Sequence, residues 1–373
     1  MQKKIIALAV AALASSAAFA QSNVTVYGTV DLGQAWVKSN SDAAGTAGQK
    51  NVGRLDNNSS NIGFRGTEDL GNGLKALFQF EAGIDTDTNG GWGRGRDTYI
   101  GLTGGFGTVV AGNLTHPLRA MGAKVELTPG AAGFGTVGSI TGAIGATKTG
   151  ADDRAQNAIA YVSPNFSGFT ATVAYVNGER NNANDPVANE GEVRQWQVAG
   201  QYEAGPLYVG AGYHRVDNGS PAGLVAGNPG NKEADAAVWR LAAVYNFPTN
   251  TKLTALYDNT KAETNVAGNY VKRAAYSLGV MQSFGQAAVG LEWAKSNKIK
   301  NQAGTVADSS ANLWTLVGTY SLSKRTTAHA RYSKLSNGNG ADYAFYYNPV
   351  SNPVAGAAGR DYTGFMVGLR HSF

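Results

Sequence analysis

The chain lacks cysteine altogether, and only 15% of its 373 residues are charged. Without cysteine, neither a disulfide framework nor a thiolate metal site can form. Charged residues make up about 25% of an average soluble domain, so the low content points away from a typical soluble protein. The four histidines are scattered and show no zinc-motif spacing, so the sequence predicts no metal site and no cofactor.

Long apolar runs are also missing. After Gln21 no uninterrupted apolar stretch approaches the roughly 20 residues that a membrane-spanning helix requires. The net charge is only +5 and lysine and arginine are not clustered, so binding to nucleic acid is not expected. What the chain has in excess is glycine, with 50 residues, beside 10% of aromatic residues. This aromatic content at low net charge excludes a disordered polypeptide.

Residues 1–20 have the three parts of a secretory signal peptide. Lys3 and Lys4 provide a positive start, residues 5–14 form a short apolar core, and the Ala-Phe-Ala sequence ending at Ala20 fits a cleavage site. We therefore expect an exported protein that is cleaved after Ala20. The remaining residues, 21–373, contain no break in composition and are predicted to form a single domain.

The mature chain alternates apolar and polar residues along most of its length. Trp239, Leu241 and Tyr245 share one face of their segment, while Arg240 lies on the other. The same alternation recurs in three further segments: 195–203, 252–258 and 314–322. A period of two is typical of β-strands with one apolar and one polar face, so the sequence predicts an all-β fold.

The connections between these strands alternate between short and long. Seven are short: 71–73, 104–106, 164–168, 205–206, 248–250, 284–285 and 323–324. Eight are longer and polar: 38–57, 86–95, 115–153, 179–192, 218–234, 262–272, 298–310 and 337–361. This alternation predicts 16 antiparallel strands in up-and-down order.

Aromatic residues collect where strands meet the short connections, at Tyr202, Tyr245, Phe247, Phe284 and Tyr320. Such a belt is expected where strands leave the hydrocarbon core of a membrane. Inside a bilayer every backbone polar group must be paired within the protein, so a sheet can cross only as a closed barrel. A barrel of this size has a water-filled lumen, which explains the polar inner face. We therefore predict a transmembrane, 16-stranded antiparallel up-and-down β-barrel.

The last predicted strand ends on Phe373, with Leu369 and His371 on the same face. This pattern looks like the C-terminal phenylalanine signal by which outer-membrane barrels are delivered to their insertion machinery. Leu369, His371 and Phe373 are therefore the predicted assembly signal.

Four motifs identify a family. They are VTVYGTVD at 24–31, GTEDLGNGLKALFQFE at 66–81, YVSPNFSGF at 161–169 and GLRHSF at 368–373. They resemble those of the general diffusion porins of Gram-negative bacteria, of the beta-proteobacterial type. The resemblance implies an outer-membrane channel, without enzymatic activity, for passive passage of small hydrophilic solutes and ions. It also implies a homotrimer in contact with outer-membrane lipid and lipopolysaccharide, and a third long loop folded into each barrel.

In such porins, basic residues of the wall face acidic groups on the third loop at a constriction. Here the third long connection, residues 115–153, is the longest, and structureless loops of that length are usually functional. We assign the wall side to Arg65, Arg96 and Arg154, and the loop side to Arg119, Glu126 and Asp152. Two positions where relatives often have arginine are occupied by Asn61 and Asn113. The sequence therefore predicts a weak preference for anions.

Strand alternation predicts further lumen-lining residues: Lys75, Glu81, Arg240, Lys252, Asp258 and Arg331. Two roles are open to these charges. They set the sign of the permeating ion, or they form a salt-bridged lattice that stiffens the wall and supports the loop.

Two other functions remain open at the level of sequence. A substrate-specific sugar or anion channel would use aromatic residues in its lumen, and the cluster at 343–347 is a candidate, although such a cluster also fits packing over the barrel mouth. A soluble, secreted β-sandwich adhesin would share the alternating strands. A calcium loop begun by Asp85 and Asp87 lacks the glutamate expected at its twelfth position, where Arg96 stands.

Overall fold

The computed structural model describes residues 23–88, 91–178, 194–217, 235–263, 269–345 and 357–373. The predicted signal peptide, residues 1–20, lies outside these ranges, as do the long connections 179–192 and 218–234. Within the described residues no helix has the length and apolar character needed to cross a bilayer.

The described part of the chain contains 22 strands, of which 16 cross the wall of a closed antiparallel barrel. The first eleven are β1 Asn23–Ser39, β2 Val52–Asn57, β3 Asn61–Gly71, β4 Leu74–Asp85, β5 Gly91–Gly95, β6 Thr98–Gly104, β7 Gly107–Thr115, β8 Ala143–Ile144, β9 Thr147–Lys148, β10 Arg154–Val162 and β11 Phe169–Val176. The others are β12 Arg194–Ala204, β13 Leu207–Asp217, β14 Ala236–Asn246, β15 Thr251–Glu263, β16 Tyr270–Phe284, β17 Ala287–Ser296, β18 Lys300–Asn301, β19 Gly304–Thr305, β20 Ala311–Ser321, β21 Thr326–Asn337 and β22 Tyr362–Ser372.

The barrel closes because β1 pairs with β22 on one side and with β3 on the other. Closure leaves the wall without a free edge, which satisfies the backbone hydrogen bonds that a membrane cannot supply. Two wall strands are interrupted. The segments β2 and β3 follow one another along β1, and β5 and β6 follow one another along β4. The predicted 16-stranded barrel is confirmed.

The two faces of the wall differ in chemistry. On β14 the outward side chains Trp239 and Leu241 are 58% and 53% exposed, while Arg240 between them is fully buried. The aromatic residues predicted at the short-turn ends are exposed on the barrel surface, as Phe284 shows. Large exposed apolar side chains on every side of a barrel are unfavourable in water and favourable in hydrocarbon, so the outer face is a lipid-facing surface.

Residues 116–153, called loop 3 from here on, fold into the barrel, as predicted. The loop contains a helix α1, Pro117–Val125, a single 3-10 turn at Pro129–Ala131, a short helix α2, Gly138–Thr141, and the β8–β9 hairpin. Proline fits the first turn of α1 because its missing N–H would have no partner there. Leu118, Met121 and Val125 form the buried face of α1, which packs against β12–β15.

Candidate functional site: the barrel constriction

Arg240 fixes loop 3 to the wall. Its guanidinium donates to the carbonyl of Leu118 at 2.8 Å, forms an ion pair with Asp258 of the neighbouring strand at 2.8 Å, and pairs with Asp152 at the far end of the loop. Arg273 reaches Asp258 from the other side, at 3.0 Å. All of these groups are buried, and each charge has a partner, which makes their removal from water tolerable.

A second anchor holds the middle of loop 3. Arg331 of β21 donates to the carbonyls of Ala132 and Phe134 at 2.6 and 3.2 Å, and Thr315 donates to the carbonyl of Gly135 at 2.6 Å. Phe134 also packs on Phe345, with ring centroids 5.3 Å apart. The contacts with Arg331 and Thr315 come from β20 and β21, further round the wall than the strands that α1 packs against, so loop 3 is held at a second place.

The acidic residue Glu126 follows α1. Its carboxylate accepts hydrogen bonds from the hydroxyl of Thr128 at 2.8 Å and from the backbone N–H of Val137 at 2.9 Å. Close by, Glu292 of the wall accepts the N–H of Leu127 at 2.8 Å. Both carboxylates are buried, and both are engaged by loop 3 itself.

Three arginines converge on the space that loop 3 leaves open. Arg96, Arg119 and Arg154 line a cavity of about 220 Å³ together with Glu126 and Asp152. The same three arginines line a larger water-accessible space of about 1050 Å³ on the side of the long loops, together with Lys148 and the acidic residues Asp85 and Asp153. The narrow part of the barrel therefore carries a concentration of positive charge.

Each of these arginines also has an anionic or carbonyl partner. Arg96 pairs with Glu81, Arg154 pairs with Asp97 at 3.2 Å, and Arg119 donates to the backbone carbonyl of Asp152. These contacts hold the guanidinium groups in place while leaving Arg96 and Arg154 about one fifth exposed to the lumen. A fixed guanidinium at a narrow opening is the arrangement that attracts anions.

Two ionisable groups near loop 3 have shifted pKa values. Burial lowers the pKa of His116, at the start of the loop, to about 4, so its ring is neutral at pH 7. Burial raises the pKa of Asp342, although the backbone N–H of Ala146, 3.2 Å away, opposes this effect. Through this hydrogen bond, Asp342 holds the β8–β9 hairpin of loop 3.

A comparison with known families decides the class of this barrel. The sequence profile described as Gram-negative porin matches residues 7–340. The chain belongs to the Gram-negative porin family. It is therefore an outer-membrane channel protein, and the space beside loop 3 is the candidate constriction.

Individual relatives agree with this assignment. Outer membrane porin protein 32 of Delftia acidovorans is 35% identical over the whole length of both chains, and major outer membrane protein P.IB of Neisseria lactamica is 30% identical, also over the whole of both. Among solved structures, the anion-selective porin from Comamonas acidovorans superposes with a TM-score of 0.74 at 30% identity, covering 95% of this chain and 100% of that one.

The porin places the predicted wall arginines unequally. Arg96 and Arg154 line the cavity of about 220 Å³, whereas Arg65 is absent from its lining and lies over the ring of Tyr27, 5.0 Å from the ring centroid. The Tyr27 hydroxyl donates to Glu81 at 2.9 Å, which brings Arg65 into the same inner-face cluster. Of the loop residues, Arg119, Glu126 and Asp152 all line the cavity.

The ion pairs at this site join other partners than the predicted wall arginines and loop acids. Asp152 pairs with Arg240, while Arg154 pairs with Asp97. Asp97 escapes sequence reasoning because it stands in the interruption between β5 and β6, where alternation breaks. Arg273 was not among the predicted residues. It lies four residues from the inward-facing Ser277 on β16, so strand alternation could have predicted that Arg273 also faces inward.

The predicted lumen residues divide into solvated and buried groups. Lys75 is exposed, and Lys252 lies within 3.2 Å of the carbonyl of Lys124. By contrast, Arg240, Asp258 and Arg331 are on the inner face but are closed off from solvent by loop 3. Their arrangement corresponds to the lattice that supports the loop.

The aromatic cluster of the last long loop does not line the lumen in its described part. Tyr343 and Phe345 are buried, and the Tyr343 hydroxyl lies 2.6 Å from the Ser296 hydroxyl. The remaining two tyrosines of that cluster lie outside the described residues. A run of exposed aromatic rings, as a sugar-selective channel would need, is therefore not formed by Tyr343 and Phe345.

Proposed function

We propose that this porin is a general diffusion channel with a weak preference for small anions. The observation that carries the proposal is the cavity lining, in which the three arginines Arg96, Arg119 and Arg154 stand beside two acidic side chains among the described residues, Glu126 and Asp152. One of these, Asp152, is already paired with the buried Arg240. Low-dielectric walls concentrate the field of such groups, so a few fixed charges dominate the small net charge of the chain.

The ion pairs of Arg96 and Arg154 explain why the preference is weak. Glu81 and Asp97 offset part of their positive potential, so anions are favoured without cations being rejected. The related porin from Comamonas acidovorans is described as anion-selective, which agrees with the sign of this proposal.

We further propose that the mature porin begins after Ala20 and assembles as a homotrimer in contact with lipopolysaccharide. Its C-terminal strand fits the role of the signal for the insertion machinery. Phe373 exchanges backbone hydrogen bonds with Gly28 at 3.2 and 3.0 Å, and Leu369 is half exposed on the lipid side. His371 bonds to the Thr326 hydroxyl at 2.9 Å.

Reversal potential in a planar bilayer tests the selectivity. In a tenfold salt gradient we expect the wild-type porin to give a reversal potential whose sign shows that anions permeate more readily than cations. Arg154→Glu should move this potential toward or past zero, because it replaces a positive charge at the constriction with a negative one.

Lys75→Glu is the matched control, since it makes the same charge change on an exposed residue beside a short turn. It should leave the reversal potential within the scatter of the wild type. Equal shifts in the two variants, or no shift in Arg154→Glu, would contradict the proposal.

A further inference from the structure

Three lysines stand side by side on the outer surface of the barrel, near the strand ends that lead to the long loops. Lys272 of β16 lies opposite Lys261 of β15 on one side and opposite Lys300 of β18 on the other. Residues directly opposite on neighbouring strands have Cβ atoms about 4.5–5.5 Å apart, and like charges in such pairs repel. These three residues, termed the lysine row, therefore concentrate positive charge at one place on the rim.

The lysine row faces away from the lumen. Lys261 is exposed and shares its face of β15 with the exposed Tyr257, whereas Asp258, on the other face, is buried. Lys272 is exposed as well, and its neighbour Arg273 is buried on the inner face of β16. The wall thus separates the lysine row from the candidate constriction, and the row has no part in the proposed ion preference.

Few acidic groups balance this charge. On the described strands β15 to β18 the one outward-facing acidic residue is Glu263, which pairs with Lys261. The ammonium groups of Lys261 and Lys272 lie 5.5 and 5.4 Å from the ring centroid of Tyr270. A fourth lysine, Lys295, faces outward on β17. This part of the rim therefore presents four lysines and one glutamate, which favours an anionic partner.

An apolar groove runs down the outer wall below the lysine row. Its volume is about 670 Å³, and its small side chains include Ala243 and Ala255, which are register partners on β14 and β15. The larger side chains Leu241 and Leu278 stand beside them, and the ring of Tyr257 lies toward the upper end. A groove that faces hydrocarbon gains dispersion contacts only when an acyl chain lies in it.

The lysine row and the groove are in line with one another. Ala255 lies six residues before Lys261 on one face of β15, and Leu278 lies six residues after Lys272 on β16. At about 3.4 Å per residue this is about 20 Å along the strand, or about 15 Å across the membrane for a tilt of about 40°. One leaflet is half of a hydrocarbon core of about 30 Å. A lipid with its head group at the row therefore has an acyl chain beside the groove.

We propose that the lysine row and the groove bind one molecule of lipopolysaccharide, with a phosphate of its lipid A part at the lysines and an acyl chain in the groove. The inference rests on the proposed contact with lipopolysaccharide and gives it a place on the barrel. Lysine binds phosphate as a point charge and needs no fixed geometry, which suits long side chains at strand ends. The long loops of such barrels are extracellular, so the row lies in the outer leaflet, where lipopolysaccharide is the phosphorylated lipid.

Binding of fluorescent diphosphoryl lipid A to the purified porin, refolded in detergent without lipopolysaccharide, tests the lysine row. The triple variant Lys261→Gln, Lys272→Gln and Lys300→Gln should raise the Kd about 10- to 100-fold, because lysines near an anionic lipid head group attract it. The same variant should keep the single-channel conductance of the wild type, since none of the three side chains faces the lumen. Retained conductance also shows that the variant has folded.

A matched triple variant removes the same charge elsewhere. Lys50→Gln, Lys75→Gln and Lys324→Gln change three exposed lysines outside the row and should leave the Kd for lipid A at the wild-type value. Dephosphorylated lipid A should bind the wild type and the row variant with the same, weaker affinity. An equal rise of the Kd in the two triple variants would overturn the proposal.

A second variant tests the groove independently of charge. Ala255→Leu places a larger side chain where the acyl chain is expected to lie, so the Kd for lipid A should rise about 5- to 10-fold through lost apolar contact. Ala111→Leu, an exposed outward alanine on β7 outside the groove, is the control and should bind as the wild type does.

The remaining outcomes separate this site from the proposed contact as a whole. Wild-type affinity in the row variant would overturn this site and leave lipopolysaccharide bound elsewhere, whereas a wild type that does not bind lipid A would contradict both proposals. Equal affinity of the wild type for phosphatidylglycerol vesicles would overturn the assignment in favour of any acidic lipid. A changed oligomeric state in Ala255→Leu would overturn it in favour of a contact between subunits.

Discussion

At the scale of single residues, glycines on the inner wall make room for loop 3. A Cβ on Gly212 would lie 2.8 Å from Leu118 Cδ1, closer than atoms of this kind approach one another. Gly210, two residues earlier on β13, faces Met121 in the same way, at 3.2 Å. Helix α1 therefore packs close to β13 at these positions, where an added methyl group would force the ends of Leu118 and Met121 to shift.

Gly212→Ala tests this contact. We expect it to lower the free energy of unfolding in detergent by about 1–3 kcal/mol, because the added methyl group overpacks the interface with α1. A shift of α1 should also change the single-channel conductance. Gly318→Ala is the control, since a Cβ there meets nothing within 4 Å and should leave both quantities close to wild type.

At the scale of elements, loop 3 is held by long-range polar contacts more than by its own secondary structure. Helix α1 has nine residues and α2 only four, lengths at which isolated helices are unstable in water. The anchors come from residues more than 80 positions away, such as Arg240 to Asp152. Buried ion pairs of this type are costly to break because the remaining partner stays charged and unpaired.

Arg240→Met should accordingly destabilise the porin by about 3–5 kcal/mol, since Asp152 and Asp258 lose their shared cation. Loop 3 should become less confined, which we expect to see as larger and noisier single-channel currents. Arg215→Met is the matched control. Its ion pairs with Asp217 and Asp235 involve an arginine side chain that is 45% exposed, so the change should cost no more than about 1 kcal/mol.

The sequence predicts the wall strands better than it predicts the contacts that hold loop 3. The wall strands follow from a period of two, because alternate residues such as Leu241 and Arg240 meet different solvents. The position of Arg240 inside the barrel follows from the same rule. The role of Arg240 as an anchor of loop 3 does not follow from this rule, because only the folded loop brings Asp152 and Leu118 next to it. Likewise Asp97 and Arg96 stand where the strand is interrupted, and periodicity gives no information there.

At the scale of the whole molecule, the barrel exists because its first and last strands meet. The β1–β22 ladder runs from Thr29 opposite Ser372 to Ser39 opposite Tyr362, and Trp36 stacks on Phe365 across it on the lipid side, with ring centroids 5.8 Å apart. Without this seam, β1 and β22 would each present an unpaired edge to the bilayer, where no water could satisfy it.

Deleting residues 362–373, which comprise β22 and Phe373, should therefore abolish the folded form, measured as the loss of the heat-sensitive compact band in gel electrophoresis. Deleting residues 300–305 removes only the β18–β19 hairpin, which pairs with the first residues of β16 and does not cross the wall. Its neighbours Ile299 and Val306 are already joined by a backbone hydrogen bond of 2.8 Å, so a short glycine linker should restore a barrel of normal stability. Equal folding of the two deletions would contradict the importance of closure.

The interruptions that flank β4 have a consequence for how such channels diversify. The gaps at 58–60 and 96–97 are bridged by a hydrogen bond of 2.8 Å from Arg96 to the Ser59 hydroxyl. Residues in these gaps are free of the in-and-out alternation that lipid contact imposes on their neighbours. Mutation there can alter which solutes pass without disturbing the membrane-facing sequence, so permeability and insertion can evolve separately.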